Sequence, residues 1–298
     1  MRVVVTGKKG QVAQALAERQ ADWPEIELVF LARPEFDLAE VAGVEAQIAR
    51  LKPHAVVNAA AYTAVDQAED EPELAQRINA DAAGRLARTA REAGALIIQL
   101  STDYVFDGTL DRAYLEEDDT GPVTAYGQSK LDGERRVISE NPAHVVMRTA
   151  WVYSSFGRNF VKSILRRAVE AGQLSVVSDQ RGNPTSALDI AEAVFKVLDA
   201  VRAGGQEPVW GTYHLAGAEE GTWHDFACEI IRQGTVLGGP DVPVEAVTTD
   251  AFPTKARRPS NSRLDSGKFL RRFGFAPAGY REALKEVLPR LLDRSDAG

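Results

Sequence analysis

The sequence predicts an α/β protein: a Rossmann-type, doubly wound parallel sheet, with a smaller and more irregular α/β substrate domain interleaved with its C-terminal end. Three observations support this prediction. Short runs of Val, Ile and Leu alternate with amphipathic stretches, a glycine-rich turn follows the first run, and Gly and Pro become frequent between residues 204 and 259. Continuous apolar runs are typical of strands buried on both faces, and their alternation with helices indicates a parallel sheet.

Seven apolar runs are expected to form strands. They cover residues 3–6, 28–31, 55–61, 95–100, 145–150, 174–177 and 213–216. Between them, apolar residues at helical spacing predict helices over residues 11–20, 72–93 and 280–293. Residues 234–243 contain three Gly and two Pro and are therefore predicted to be a loop.

The change in texture after residue 154 predicts two interleaved domains. We assign residues 1–153 to a dinucleotide-binding domain, to which residues 185–217 return. Residues 154–184 and 218–298 are assigned to the substrate domain.

The composition is that of a globular protein and excludes several other classes. The chain has 298 residues, 44% hydrophobic and 26% charged, which excludes a disordered or fibrous protein. A net charge of −8 argues against a nucleic-acid partner, and no apolar run approaches the roughly 20 residues that span a bilayer. Cys228 is the single cysteine, and the first residues contain no signal-peptide core, so we expect a cytoplasmic protein.

The first predicted strand runs into a glycine-rich turn that is typical of dinucleotide binding. Gly7 and Gly10 are spaced Gly-x-x-Gly-x-x-Ala, and the following helix begins near Gln11 and Val12. Glycines let backbone N–H groups approach a pyrophosphate closely, and a helix N-terminus adds partial positive charge. An ordinary turn between strand and helix is the alternative interpretation.

The end of the second predicted strand is where such proteins distinguish NADP from NAD. A carboxylate there favours NAD, whereas an Arg accommodates the 2′-phosphate of NADP. The chain has Arg33 at this point, with no carboxylate before Glu35, which favours NADPH over NADH. A solvated surface Arg is the alternative. Asp37 and Leu38, a few residues on, are expected to flank the adenine.

Tyr126 and Lys130 have the Tyr-x-x-x-Lys spacing of a catalytic pair. Positions i and i+4 share one helix face, and a neighbouring ammonium stabilises a phenolate, so Tyr126 can act as a general acid towards a ketone. Ser101 and Thr102 follow the fourth apolar run, where ligands bind in such sheets, and Thr102 or Ser101 is expected to hydrogen-bond the substrate carbonyl and polarise it. A strand-capping Ser/Thr turn is the alternative for Thr102.

A basic patch stands out in this acidic chain. Lys255, Arg257, Arg258 and Arg263 lie within nine residues that contain no Asp or Glu. Arg forms paired hydrogen bonds with phosphate oxygens, so Arg258 and Arg263 are candidates to clamp a nucleotide diphosphate. A solvated charged loop is the alternative.

Several motifs together resemble the extended short-chain dehydrogenase/reductases, and among them the dTDP-4-dehydrorhamnose reductase family. The match covers essentially the whole chain, and Ser-Thr-Asp-Tyr-Val-Phe and Arg-Thr-x-Trp-Val-Tyr are its most discriminating blocks. The matching segments are residues 7–12, 57–66, 71–75, 78–80, 101–108, 126–130, 148–153, 179–185 and 257–262.

The resemblance implies that NADPH or NADH delivers hydride to the C4 ketone of a dTDP-4-dehydro-6-deoxy-L-mannose. It also implies that Tyr126 donates the proton, that Lys130 supports Tyr126 and holds the nicotinamide ribose, and that Thr102 orients the carbonyl. Further residues are implied to line the site: Ala59, Ala60, Ala61 and Tyr62 at the cofactor, and Asp103, Tyr104 and Trp151 at the sugar.

Departures from the family pattern bear on the reaction and on metal binding. Related dehydratases carry an Asp-Glu pair after the strand-end Thr, whereas Asp103-Tyr104 here favours ketone reduction without excluding a 4-epimerase. Some relatives form a metal-bridged dimer through an acidic residue that corresponds to Ala15, so we predict no metal and a monomer or weak homodimer. The alternatives are another sugar-nucleotide 4-ketoreductase or epimerase, or a non-catalytic NADP-binding regulatory subunit.

Overall fold

The computed structural model describes residues 1–40, 44–204 and 209–293. Its strands are β1 (Arg2–Thr6), β2 (Glu27–Leu31), β3 (Ala55–Asn58), β4 (Leu96–Thr102), β5 (His144–Thr149), β6 (Val152–Tyr153), β7 (Leu174–Val177), β8 (Arg181–Gly182), β9 (Thr185–Ser186), β10 (Gly211–His214), β11 (Gly221–Thr222) and β12 (Val244–Val247).

Helices connect most of these strands. They are α1 (Gln11–Arg19), α2 (Val44–Leu51), α3 (Val65–Ala68), α4 (Pro72–Gln76), α5 (Ala82–Glu92), α6 (Ala125–Glu140), α7 (Phe160–Ala171), α8 (Ala187–Ala203), α9 (Trp223–Val236), α10 (Gly267–Phe273) and α11 (Tyr280–Leu292). In the described parts of the chain, none of them combines the length and apolar character that crossing a bilayer requires.

Six parallel strands form the central sheet in the order β10-β5-β4-β3-β1-β2. Helices cover both faces of this sheet, and successive side chains of a strand point to opposite faces. Val3 and Val5 of β1 lie in the core that contains α1 and α8, whereas Val4 lies in the core that contains α2 and α5. The predicted doubly wound α/β fold is therefore confirmed. Because the strand order reverses between β1 and β3, ligands of such sheets bind at the carboxyl ends of these strands.

Two central strands end at residues that the apolar pattern did not indicate. β3 stops at Asn58, before the predicted end at residue 61, because the next N–H groups bond side chains: Ala60 N–H donates to Thr6 Oγ1 at 3.1 Å and Tyr62 N–H to Asn79 Oδ1 at 2.8 Å. β4 continues to Thr102, two residues beyond the predicted end, because its last residues pair with β5.

The predicted helix over residues 72–93 is interrupted. A π-helical turn, Arg77–Asp81, separates α4 from α5. Helix α6 packs so closely on this turn that a Cβ at Gly133 would collide with the Asn79 carbonyl oxygen. Helix α9 extends to Val236, so the predicted loop over residues 234–243 begins three residues too early.

A second core lies in the C-terminal half, where α7, α9 and α11 pack around Phe226, Tyr280 and Leu284. The run over residues 174–177 is a strand, as predicted, but β7 pairs with β12 and does not join the central sheet. Residues 187–214 return to the central sheet, since α8 packs in the core of α1 and β10 pairs with β5. The last five residues of the predicted substrate domain lie outside the described residues.

Candidate active site

The glycine-rich turn after β1 leaves the start of α1 open. Gly7 has φ +86°, a conformation that favours glycine, and its N–H donates to Leu31 O at 2.7 Å. Gly10 caps α1 without a side-chain bond, and a Cβ built on it would meet nothing within 4 Å. The first N–H groups of a helix have no partner within the helix. Those of Gln11 and Val12 therefore face space that an anion can enter.

The Gln11 side chain has a structural role at this turn. Its amide donates to Val152 O at 3.2 Å and accepts from Ser154 Oγ at 2.8 Å and Asn159 Nδ2 at 3.0 Å. Gln11 thus ties the turn to the segment after β6, and only its backbone N–H is left as a group that could meet a ligand at the helix N-terminus.

A cavity of about 770 Å³ extends from the turn along the end of β2. Lys8, Lys9 and Arg33 line it, and none of the three forms an ion pair with another described residue. Phe36 also lines the cavity. The two predicted adenine neighbours lie close by but are engaged: Asp37 Oδ1 accepts from Ala39 N at 2.9 Å, and Leu38 is buried in the core.

Polar side chains cross the carboxyl ends of β1, β3 and β4 in a buried row. Thr6 Oγ1 donates to Asn58 Oδ1 at 2.7 Å, and Asn58 Nδ2 donates to Gln99 Oε1 at 2.8 Å. Gln99 Nε2 in turn donates to Leu100 O at 2.8 Å. This row holds the three strand ends together beneath the cofactor region.

The segment after β3 is built from small residues and one tyrosine. Ala59, Ala60 and Ala61 are half-buried, so backbone and methyl groups form this wall of the site. The Tyr62 hydroxyl donates to Glu71 Oε2 at 2.8 Å. Burial, together with this hydrogen bond, raises the pKa of Tyr62 to about 12. Its hydroxyl is thus committed to Glu71.

Tyr126 and Thr102 meet at the carboxyl end of β4. Thr124 caps α6 by accepting from Gly127 N at 3.0 Å, which places Tyr126 in the first turn. Desolvation raises the pKa of Tyr126, although the Thr102 hydroxyl beside it opposes that shift. Thr102 Oγ1 donates to Asp103 Oδ1 at 2.9 Å.

Lys130 is buried one helical turn beyond Tyr126. Its ammonium donates to Leu100 O at 2.6 Å. Burial lowers the pKa of Lys130 to about 8, while the nearby Glu134 carboxylate opposes that shift. Tyr126 and Lys130 therefore share a helix face as predicted, and the ammonium is fixed to the β4 backbone.

Asp103 presents a buried acceptor beside Thr102. It is 2% exposed, and its Oδ2 atom has no hydrogen-bond partner in the described part of the chain. Burial raises the pKa of Asp103 to about 6, although the Ser262 and Thr102 hydroxyls near it oppose that shift.

Two aromatic residues predicted at the sugar are held by other aromatic rings. Tyr104 packs edge-on against Tyr126, with ring centroids 5.7 Å apart. Trp151 stacks on Trp223 with centroids 3.5 Å apart, and a Cβ at Gly182 would collide with its ring. Trp223 therefore packs against one face of the Trp151 ring.

A second cavity, of about 530 Å³, is lined by Arg181, Arg257, Arg258 and Arg263. Three of these arginines are paired. Arg258 donates to Asp66 Oδ2 at 2.8 Å, and Arg181 and Arg263 bind Glu220 at 2.5 and 2.9 Å.

Arg263 differs from a free phosphate ligand because it is 7% exposed and its other donors bind Asn261 Oδ1 and Asp111 O. The structure thus brings Arg258 and Arg263 to one cavity, but it commits the Arg263 guanidinium to the protein.

Sequence reasoning missed the buried polar residues behind the site, among them Gln99, Glu134 and Arg148. A signal for one of them was present. Glu134 follows Lys130 by the same four residues that separate Lys130 from Tyr126, so all three lie on one face of α6.

No group of three or more potential metal ligands occurs among residues 1–40, 44–204 and 209–293. Ala15, where some relatives carry an acidic residue, is fully buried.

Comparison with known proteins identifies close relatives. Residues 1–292 match the family described as RmlD substrate binding domain. The chain is 43% identical over 292 residues to the dTDP-4-dehydrorhamnose reductase of Sinorhizobium fredii, with 98% of each chain covered.

Two crystal structures are similar over nearly their whole length. A dTDP-4-dehydrorhamnose reductase from Clostridium acetobutylicum has a TM-score of 0.89 at 37% identity, covering 98% of this chain and 99% of that one. The one from Bacillus anthracis, solved with NADP, has a TM-score of 0.88 at 32% identity, covering 96% and 98%.

Proposed function

Because the chain belongs to the dTDP-4-dehydrorhamnose reductase family, we propose that Thr102, Tyr126 and Lys130 are the residues with which it reduces its substrate. It is an NADP-dependent oxidoreductase that converts dTDP-4-dehydrorhamnose to dTDP-L-rhamnose. The resemblance read from the motifs is thereby confirmed. The position of Tyr126 beside Thr102 at the end of β4, with Lys130 one turn further along α6, carries the assignment of the catalytic residues.

The cofactor region suits a dinucleotide with an extra phosphate. The open N-terminus of α1, with Gly7 and Gly10, suits the pyrophosphate. Lys8, Lys9 and Arg33 in the adjoining cavity suit the 2′-phosphate of NADPH, and NADH would leave these cations without that contact. When bound, the cofactor supplies the hydride.

Tyr126 supplies the proton. A phenol whose pKa is raised by desolvation stays protonated at neutral pH and can donate to the C4 oxygen as hydride adds to C4. The phenolate that remains on Tyr126 takes a proton from solvent before the next turnover. Lys130, kept as an ammonium, stabilises that phenolate and holds the nicotinamide ribose.

Thr102 and Asp103 orient the sugar together. Thr102 Oγ1 gives its one hydrogen to Asp103 Oδ1 and accepts from Tyr104 N at 3.2 Å, so these two neighbours fix the direction of the Thr102 hydroxyl. The unpartnered Asp103 Oδ2 is suited to accept a hydrogen bond from a sugar hydroxyl. Tyr104 and Trp151 pack the sugar, and Arg258 faces the diphosphate. Arg263 supports that cavity from behind.

Carboxylates on the surface of α1 and α11 support our proposal of a monomer or weak homodimer without a bridging metal. Glu18 pairs with Arg290 at 2.7 Å, and Glu286 pairs with Arg19 at 3.1 Å. An arginine thus neutralises each of these two carboxylates. Sedimentation with and without Mg²⁺ tests the oligomeric state, and a Mg²⁺-dependent dimer would contradict this proposal.

We also propose a cytoplasmic location for the protein.

Substitution of the proton donor tests the proposed catalytic site. In Tyr126→Phe, we expect NADPH oxidation with dTDP-4-dehydrorhamnose to fall by about 10²- to 10⁴-fold, because the general acid is lost. NADPH affinity should be retained.

Tyr153→Phe is the matched control, since the buried Tyr153 hydroxyl has no hydrogen-bond partner among the described residues and its loss should leave the rate unchanged. Full activity of Tyr126→Phe would overturn the site assignment. Wild-type protein that binds NADPH without turnover would favour the regulatory alternative.

A further inference from the structure

A fully buried ion pair lies directly behind the proposed catalytic residues. Glu134 is on α6, one turn after Lys130, and Arg148 is on β5. Arg148 Nε donates to Glu134 Oε1 at 3.0 Å and Nη2 donates to Oε2 at 2.8 Å. The side chains of Arg148 and Glu134 are 7% and 2% exposed. Ser101 Oγ completes the group by donating to Glu134 Oε1 at 2.5 Å.

Stability alone is a weak explanation for such a pair. Taking two charges out of water costs about as much as their attraction returns, and apolar replacements of similar volume are often as stable. The cost recurs here, because one Arg148 nitrogen, Nη1, has no hydrogen-bond partner in the described part of the chain. A buried pair that is retained beside reacting groups therefore calls for a second role.

The pair joins β5 to α6 and β4, the two elements that carry the proposed catalytic residues. Glu134 belongs to α6, which presents Tyr126 and Lys130. Ser101 precedes Thr102 on β4 and lies opposite Arg148 in the β4–β5 register. The Glu134 carboxylate thus bonds both strands from the helix, which fixes the rotation of α6 relative to Thr102.

We propose that Glu134 and Arg148 are positioning residues for the reduction: their ion pair, with the Ser101 hydrogen bond to Glu134, locks α6 to β4 and β5. The inference rests on the proposed roles of Tyr126 and Lys130. Glu134 and Arg148 act through these residues and do not contact the reacting atoms.

The charges around Lys130 predict the direction in which the pH profile of the rate should shift when the Glu134 charge is removed. Its ammonium donates to Leu100 O of β4, Tyr126 and Glu134 lie one turn before and after it on α6, and Arg148 of β5 pairs with Glu134. Of the charged groups, Glu134 raises the pKa of Lys130 against the effect of burial, which brings it to about 8. Without the Glu134 charge, Lys130 loses its proton at lower pH. A rate that needs the ammonium then falls off at lower pH.

Glu134→Gln tests the proposal with little change in shape. We expect kcat to fall roughly tenfold and the alkaline limb of its pH profile to move about one unit towards acid, which is the shift of a tenfold change in proton affinity. The KM for the sugar nucleotide should stay within about twofold, because no substrate contact is removed.

Glu140→Gln is the matched control, since Glu140 lies on the same helix in an exposed pair with Arg88. It should leave both kcat and the pH profile unchanged.

A double variant keeps the test decisive if Glu134→Gln folds poorly. Glu134→Gln with Arg148→Met removes both buried charges, so no unpaired charge remains and the melting temperature should recover towards wild type. The alkaline limb should stay shifted towards acid, by less than in the single variant, because the Arg148 charge is also gone. A wild-type pH profile and kcat in the folded double variant would overturn the inference.

Tyr126→Phe, assayed beside these variants, separates the two proposals. An inactive Tyr126→Phe together with a wild-type profile for the Glu134 variants rejects the positioning role alone. An active Tyr126→Phe rejects the proposed catalytic site itself.

Discussion

The two cavities of this protein hold their cations in opposite states. In the cavity that we propose for the cofactor, Lys8, Lys9 and Arg33 form no ion pair within the described residues. In the cavity that we propose for the sugar nucleotide, Arg258 and Arg263 are already bound to Asp66 and Glu220. Both cavities occur in a chain with a net charge of −8, so each needs local positive charge to bind a polyanion.

The difference concerns what an incoming phosphate must displace. An unpaired cation exchanges water for the phosphate, and its full charge is available to the ligand. A paired arginine must share its donors with a carboxylate or release it, so part of the attraction is spent on that exchange. We infer that the cofactor cavity is preset for its anion, whereas substrate binding includes a rearrangement of ion pairs.

The largest effect is expected when an unpaired cation is removed from the proposed cofactor cavity. Arg33→Ala should raise the KM for NADPH by about 30-fold, because a hydrogen bond to a charged group contributes about 1.5–3 kcal/mol. The KM for NADH, which lacks the 2′-phosphate, should stay within twofold and serves as the internal control. Initial rates with both cofactors measure this ratio. An equal rise for NADH and NADPH would place Arg33 away from the 2′-phosphate.

A smaller effect is expected on the substrate side. Arg258→Ala should raise the KM for the sugar nucleotide by about tenfold, because the net gain from a paired arginine is reduced by its exchange with Asp66. The KM for NADPH should not change. Steady-state kinetics with each substrate varied in turn measure both values. An unchanged sugar-nucleotide KM would mean that the substrate diphosphate binds elsewhere in the cavity.

The smallest effect is expected when the Asp66 charge, which competes with the substrate for Arg258, is removed. In Asp66→Asn, the amide oxygen can still accept from Ala256 N, as Oδ1 does at 3.1 Å, but the charge that holds Arg258 is lost. We expect the KM for the sugar nucleotide to fall about two- to threefold, as for an exposed ion pair worth below 1 kcal/mol.

Asp70→Asn is the matched control, since Asp70 pairs with Lys255, which lies three residues before Arg258. Its KM should stay at the wild-type value. A higher KM in Asp66→Asn would show that Asp66 orders Arg258 for the substrate and does not compete with it.

The sequence predicted what is encoded by neighbouring residues. β1, the turn with Gly7 and Gly10, and the face shared by Tyr126 and Lys130 each depend on a few adjacent positions, so local pattern was sufficient. The early end of β3 was not visible, because Ala59–Ala61 read as apolar strand while Thr6 and Asn79 supply the hydrogen bonds from elsewhere in the chain.

Pairing between distant segments was also invisible in the pattern. An apolar run such as residues 174–177 indicates a strand but not its partner, and β7 joins β12. The Arg258–Asp66 pair likewise joins positions that are 192 residues apart, so a basic patch in the sequence was not recognisable as half of an ion pair. The sequence gives the positions of the charged residues, but only the folded structure shows which of them form ion pairs.

The position of β10 beside β5 has a consequence for how the protein is made. A ribosome releases α6, with Tyr126 and Lys130, well before it synthesises the strand that covers β5. Until then the outer edge of β5 presents unpaired backbone groups, which are a template for pairing with another chain. Nascent or truncated chains that end before β10 therefore contain every proposed catalytic residue. We expect them to aggregate more readily than the full chain, in which β10 covers this edge of β5.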